Sequence, residues 1–315
     1  MAALPTNRPD AQRGLAMIVV LWILTLMIIM ASSFALTMRR ETAILADFKA
    51  VAQANALAEA GINIAIMQVM QADESTRWRT DGSVYEIQLE EVPIRIQIND
   101  ESGKIDLNQT DGNLLRSLLI SYGLPEDKAV QLVDAITDWR DPDDLLSLHG
   151  AEKDEYKQAK LSYIPRNKPF ETVEELQLVL GMTPELYAQL EPLVTVFSNS
   201  SAVNPAKAPK ALLQGMPNAT PELVNSYLQE RVQNARTGLP ETAPTWAGAN
   251  NTGGSQSFQI VAEAMPVEGI SAAVTAVVKQ GQSRSGLPFV ILKWNKGSAL
   301  GSLFAELGEE MIIEQ

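Results

Sequence analysis

Leu15 to Met38 reads LAMIVVLWILTLMIIMASSFALTM, a run without a single charged residue. At ~1.5 Å per residue a helix of this length reaches ~36 Å, and the hydrocarbon core of a bilayer is ~30 Å thick. The stretch therefore predicts one membrane-spanning helix. Arg8 and Arg13 precede it and Arg39 and Arg40 follow it, so the distribution of basic residues does not set its orientation. A cleaved secretory signal has an apolar core of only ~7–15 residues and small residues at its exit. This run is longer and leaves through Met38-Arg39-Arg40, which argues for an anchor that is retained.

Outward from the anchor the helix is expected to continue. Arg39 to Met70 holds no proline and a single glycine, Gly61, while Ile44, Leu45, Phe48, Val51, Ala52, Leu57, Ala60 and Ile64 recur at helical spacing. Two alternating segments follow, Val84 to Leu89 and Ile94 to Ile98, with Pro93 at the start of the second. Three further strand candidates lie near the end: Ser257 to Ala264, Ser271 to Lys279 and Leu287 to Lys293.

Between the two groups, Lys104 to about Gly238 reads almost wholly helical. Thr172-x-x-Glu175 is a capping-box pattern, and Thr183-Pro184-Glu185 and Thr220-Pro221-Glu222 each offer a capping hydroxyl, a proline at the first helical position and a carboxylate near the helix's positive end. The expected fold is α+β: a long N-terminal transmembrane and stem helix packed on an antiparallel β-sheet, with a large all-α region inserted between strands. The boundaries read as 15–38 for the anchor, 39–72 for the stem, 80–103 for the first strands, 104–240 for the helical insert and 241–315 for the last strands. Strands separated by more than a hundred residues could instead form two sheets.

Composition narrows the function. Lysine plus arginine number 25 against 38 aspartate plus glutamate, a formal net charge of −13, which repels phosphate backbones. There is no cysteine, and His149 is the single histidine. Most hydrolytic and redox designs thereby lose their central residue, although carboxylate-pair hydrolysis survives this filter. The helical units, with glycine turns in a degenerate repeat (Leu107-Asn108…Gly123; Val203-Asn204…Gly215), are similar to helix-hairpin-helix and SAM-like modules, many of which bind DNA. Such turns must present free backbone N–H groups and basic side chains to phosphate. Here Gly123-Leu124-Pro125-Glu126-Asp127, Gly181-Met182-Thr183-Pro184-Glu185 and Gly215-Met216-Pro217-Asn218 each contain a proline, and two contain acids. They read as packing modules, with no nucleic acid as partner. The glycine-rich stretches GQSRSG (281–286) and WAGANNTGGSQS (246–257) lack the GK[ST] ending of a phosphate loop.

One acidic cluster stands out: Asp138, Asp141, Asp143 and Asp144, with Glu152 beyond. Calcium takes six to eight oxygen ligands and could be held here, although Leu145 and Leu146 depart from the EF-hand pattern. A solvated acidic loop, with an aspartate pairing Arg140 or capping a helix, fits the same residues. No cofactor is otherwise required.

Arg13-Gly14 directly before the apolar run resembles the prepilin-peptidase site of the type IV pilin superfamily. That resemblance implies a leader over 1–14, cleavage between Gly14 and Leu15 on the cytoplasmic side, and N-methylation of the new terminus. It further implies a single-pass inner-membrane protein whose bulk is periplasmic. Most members of that superfamily carry glutamate at the fifth mature position, where this chain has Val19. A carboxylate in the membrane costs about 2.5–3.5 kcal/mol without a partner, and a subunit with no neighbour above it has none. The segments Lys104-Ile105-Asp106-Leu107-Asn108, Asp138-Trp139-Arg140-Asp141-Pro142-Asp143-Asp144, Gly150-Ala151-Glu152 and Tyr156 look like the corresponding segments of the K-type minor pseudopilins of type II secretion systems. This implies a non-enzymatic subunit at the tip of a pseudopilus, processed by prepilin peptidase, starting assembly with the I and J minor pseudopilins and contacting other pseudopilins. Calcium occurs in related pseudopilins. The alternatives are a minor pilin or tethered binding protein of another envelope system, such as DNA uptake, and a signal-anchored hydrolase.

Overall fold

The computed structural model describes residues 13–73, 76–247, 253–281, 286–297, 301–305 and 312–314. Two compact units divide the chain at Ala52 and Gln53, and helix α1 (Arg13–Val69) contributes to both. In the first unit α1 carries the apolar run, with Leu15, Trp22, Leu26, Ile29 and Phe34 exposed along it. Its length and composition suffice to cross a membrane. In hydrocarbon no water can satisfy a hydroxyl, and here the hydroxyls are satisfied locally: Thr25 Oγ1 donates to the Leu21 carbonyl at 3.0 Å and Thr37 Oγ1 to that of Ser33 at 3.1 Å. Most of the expected leader, residues 1–12, lies outside the described residues.

The second unit begins with the rest of α1 and is built on one six-stranded sheet. Its strands are β1 (Asp81–Leu89), β2 (Val92–Asp100), β5 (Ser257–Val267), β6 (Ile270–Gln280), β7 (Phe289–Lys296) and β8 (Ile312–Glu314), in the order β7-β6-β5-β2-β1-β8. The two groups of strands thus share a single sheet, with β2 paired to β5 from Ile94↔Ala264 to Asp100↔Phe258. Pro93 is tolerated in this central strand because it faces only Gln88 of β1, and the ladder to β5 starts one residue later. The sheet is antiparallel except for β8, which runs parallel to β1; the sequence reading contained no strand there.

Alternation in β2 puts Ile94, Ile96 and Ile98 on one face, where they meet Leu57, Ala58, Ile62, Ala65 and Ile66 of α1. Gly61 permits the close approach: a Cβ there would lie 3.0 Å from Ala262 Cβ and 3.1 Å from Ile94 Cγ2.

Between β2 and β5 lie helices α2 (Asn113–Ser121), α3 (Glu126–Arg140), α4 (Lys153–Gln158), α5 (Pro184–Leu190), α6 (Lys210–Gln214) and α7 (Pro221–Arg236) around a core of their own. A two-stranded parallel sheet, β3 (Ile105–Asp106) with β4 (Val194–Thr195), joins the ends of its first half. The expected caps form: Thr183 and Thr220 accept from Leu186 N and Leu223 N, each with proline in the first turn. The Thr172–Glu175 capping box forms too, but it opens a 3-10 helix over Val173–Leu178. The region is less helical than its sequence suggests, because α4, α5 and α6 are short and are linked by loops whose backbone groups are satisfied by side chains. Asn108, for example, exchanges two hydrogen bonds with the backbone of Phe170, at 2.7 and 3.0 Å.

Where the helices meet the sheet, a buried polar group forms. Lys104 Nζ pairs with Glu101 at 2.8 Å and reaches Gln259 at 3.1 Å, while Thr195 Oγ1 donates to the same glutamate. Burying two charges costs less when they pair with each other and make further hydrogen bonds, as Lys104 does with Gln259 and Glu101 with Thr195.

Candidate functional site

The acidic cluster is assembled at the C-terminal end of α3. Glu126 and Asp127 occupy the first turn of that helix and Arg140 the last, charges placed to complement the helix dipole. Its buried face presents Leu132, Ala135, Ile136 and Trp139, and carries Asp138 inward with them. Trp139 lies 6.1 Å from the Tyr156 ring and 6.2 Å from that of Phe170, which fixes α3 against α4. Arg140 donates to the carbonyls of Leu107 and Thr110, tying the helix end to the start of the helical region.

Asp138 is fully buried and organises the loop that follows. Its carboxylate accepts from Ala151 N at 2.9 Å and lies 3.3 Å from Ser147 N, so the chain from 141 to 151 wraps around one anion. Gly150 lacks a side chain for a visible reason: a Cβ would sit 1.9 Å from Asp138 Oδ2. Asp143 accepts from Leu145 N, and Asp144 accepts from Asn167, which also binds the Asp143 carbonyl.

Two carboxylates remain unsatisfied. Glu152 is 6% exposed and opens α4 in a capping-box arrangement with Glu155, whose carboxylate accepts from Glu152 N at 3.0 Å, but neither Glu152 oxygen makes a hydrogen bond of normal geometry. Asp141 Oδ1 is likewise buried and unpartnered. Burial pushes Glu152 up to about 7, with Asp138, Asp141, Asp144 and Asp143 adding like-charge repulsion. Asp141 is raised by burial and then by Asp143 and Asp138. Buried orphan oxygens facing further acids define a place where a cation or a proton is favoured. Among the described residues no three His, Cys, Asp or Glu side chains are already arranged to hold a metal ion.

All five predicted ligands therefore share one neighbourhood, but with different work: Asp138 is spent on backbone N–H groups, Asp143 and Asp144 shape the loop, and Asp141 and Glu152 keep free oxygens. Asn167 and Gly150 complete the arrangement. Asn167 is more than twenty residues from the aspartates it binds, and no local pattern announces it. A wide cavity of 1040 Å³, walled by residues including Trp78, Arg79, Asp100, Lys207 and Glu241, lies apart from the cluster. At the other predicted site, Gly14 and Leu15 sit in the first turn of α1.

Comparison with known proteins converges on one family. The family model "Type II secretion system (T2SS), protein K" matches residues 95–199, the segment from β2 through the acidic cluster to just past β4. A type II secretion system protein K from Klebsiella pneumoniae is 28% identical over 212 residues, covering 60% of this chain and 64% of the relative. That from Aeromonas hydrophila is 29% identical, covering 58% and 63%, and that from Dickeya chrysanthemi 31% identical, covering 38% and 34%. The chain thus spans just under two thirds of the length of the first two relatives. The fold is similar to a chain in the crystal structure of the GspK-GspI-GspJ complex from enterotoxigenic Escherichia coli, with a TM-score of 0.50 and 16% identity over 82% of this chain and 99% of that one. The family's first domain is thus recognised over 95–199, and the relatives that share its name are similar to the chain over up to 60% of its length.

Proposed function

We propose that this chain is a minor pseudopilin at the tip of a type II secretion pseudopilus, where it associates with the I and J minor pseudopilins and starts assembly of the filament. The observation that carries this is a protein K domain on a chain whose N-terminal helix contains a membrane-length apolar run. Prepilin peptidase removes the leader between Gly14 and Leu15, α1 anchors the mature protein in the inner membrane, and the second unit is periplasmic. The related E. coli structure contains K, I and J together, which supports the same partners here. Val19 in place of the usual membrane glutamate, and a large helical region beside the sheet that would obstruct a further subunit, favour the tip. The work is assembly and not catalysis.

The acidic cluster binds calcium in this reading. Asp141 and Glu152 supply unpartnered oxygens and Asp143 or Asp144 complete the set, their side chains turning toward the ion, while Asp138 holds the loop. The cation offsets the repulsion that raises Glu152.

The test is the mass and N-terminal sequence of membrane-extracted protein with and without prepilin peptidase, followed by co-purification with I and J. A methylated Leu15 terminus that depends on the peptidase, and a K–I–J complex, are expected. An intact Met1 with the peptidase present, or no association with I and J, overturns the assignment. Calorimetric titration of the full chain with calcium, against Glu152→Gln, tests the ion separately: the variant should bind at least tenfold more weakly.

A further inference from the structure

The cavity of 1040 Å³ in the second unit lies where the chain leading into β1 meets the end of α7. Three cations, Arg77, Arg79 and Lys207, line it against two acids, Asp100 and Glu241. Both acids are already engaged. Glu241 pairs with Lys207, which also donates to Thr80 Oγ1 at 3.0 Å. Asp100 is buried and accepts from Ser102 N at 2.8 Å and Ser255 N at 2.9 Å. The two arginines have only neutral partners. Arg77 is exposed, and its Nε donates to the Gln71 carbonyl at 2.8 Å. Arg79 Nη2 donates to the carbonyls of Asn234 and Leu239, while its Nη1 is buried without a hydrogen-bond partner. Among the described residues no carboxylate pairs with either guanidinium, on a protein whose net charge is −13.

The local chain holds these arginines in place. Burial alternates along it: Trp78 and Thr80 are buried, Arg77 is exposed and Arg79 half-buried. Trp78 stacks on Tyr85 with ring centroids 4.4 Å apart, and the Tyr85 hydroxyl accepts from Arg79 N at 2.8 Å. Water would satisfy the Arg79 Nη1 donors but would bring no charge, whereas a carboxylate matches the guanidinium fork in both geometry and sign. A lone small anion would fill little of the cavity, whose size is that of an organic ligand. Val69, Met70, Leu239 and Pro240 supply apolar wall beside the charges, suited to the side chains that accompany a carboxylate in a peptide. We infer that this cavity binds a peptide carboxylate, on a short segment of another protein, with Arg79 and Arg77 as the recognising groups. The inference stands independently of the secretion assignment.

The experiment is calorimetric titration of the full chain in detergent with a five-residue peptide alternating leucine and glutamate, blocked at both ends. Its glutamine counterpart is titrated too, once blocked and once with a free C-terminus. Binding of the glutamate peptide identifies a side-chain carboxylate, and binding of the free-ended glutamine peptide a terminal one; either supports the site. The blocked glutamine peptide should not bind. Affinity should fall as salt rises, and hydrogen exchange should slow over 77–81 and 238–241. Arg79→Gln and Arg77→Gln should each weaken binding about tenfold or more. Arg79 also ties down the end of α7, so its variant is read beside its thermal midpoint; Arg77 is exposed, and its variant should keep the midpoint of the parent. Equal binding of the neutral peptide, binding of none of the three, or full affinity in both variants overturns the inference. Inorganic phosphate binding as tightly as the peptides also overturns it.

Discussion

At the scale of single residues, the least replaceable positions are those where a side chain has no room or a charge has one partner. Gly150→Ala drives a methyl into the Asp138 carboxylate, and overpacking of this kind costs about 1–3 kcal/mol. We expect a lower thermal midpoint together with weakened calcium binding. Lys104→Met leaves Glu101 buried with a missing counter-charge, an arrangement that costs about 3–5 kcal/mol. Denaturant unfolding checks this, and adding Glu101→Leu should recover much of the loss. Glu152 allows a prediction in pH. Its acid form is favoured by the fold up to about pH 7, whereas an ordinary glutamate titrates near 4.5. In that window the folded chain binds the extra proton, so its contribution to stability is greatest at low pH and is lost as pH rises toward 7. Cation-free protein should show this fall, Glu152→Gln should remove it, and saturating calcium should suppress it.

At the scale of elements, α1 and α7 are held by different means. The stretch of α1 that faces the sheet is small-residue packing, Ala58, Gly61 and Ala65 against Ile94, Ile96 and Ala262. Gly61→Leu should separate helix and sheet and cost about 1–3 kcal/mol, read from denaturant midpoints. Helix α7 instead depends on its start, where Thr220 caps Leu223 N and Pro221 fixes the first turn. Thr220→Ala should cost about 1 kcal/mol, and restoring the cap with Ser should return most of it. Those caps were legible because capping is a local exchange over three residues. The capping box at Thr172 was legible for the same reason, but its outcome as a 3-10 helix was not. That choice depends on how Val173 to Leu178 fit against the rest of the helical core.

For the whole molecule, a single sheet carries strands from both ends of the second unit, and the helical region occupies the chain between them. Asn108 and Asn204, equivalent positions in the degenerate repeat, show how that region is secured. Each uses its side-chain amide to bind the backbone of a segment far along the chain, Phe170 in one case and Gly253 in the other. Deleting these amides should loosen separate parts of the structure. Asn108→Ala should increase hydrogen exchange around Phe170 without altering the sheet amides.

The apolar run at Leu15 to Met38, the alternation of β2 and the threonine caps are properties of neighbouring residues, so a helix of membrane-crossing length, most of the strands and the helix starts can be read locally. The sequence also brings the five acids of the cluster into view. Which of them are spent follows from packing: Asp138 is consumed by Ser147 and Ala151, while Glu152, buried at the start of α4, makes no hydrogen bond of normal geometry. Packing likewise decides that β8 adds in parallel to β1 and that, among the described residues, β7 has a strand on one side only. These outcomes depend on which distant groups arrive beside one another, and hydrogen-bond partners and strand neighbours are assigned by packing across the chain, not by any local pattern within it.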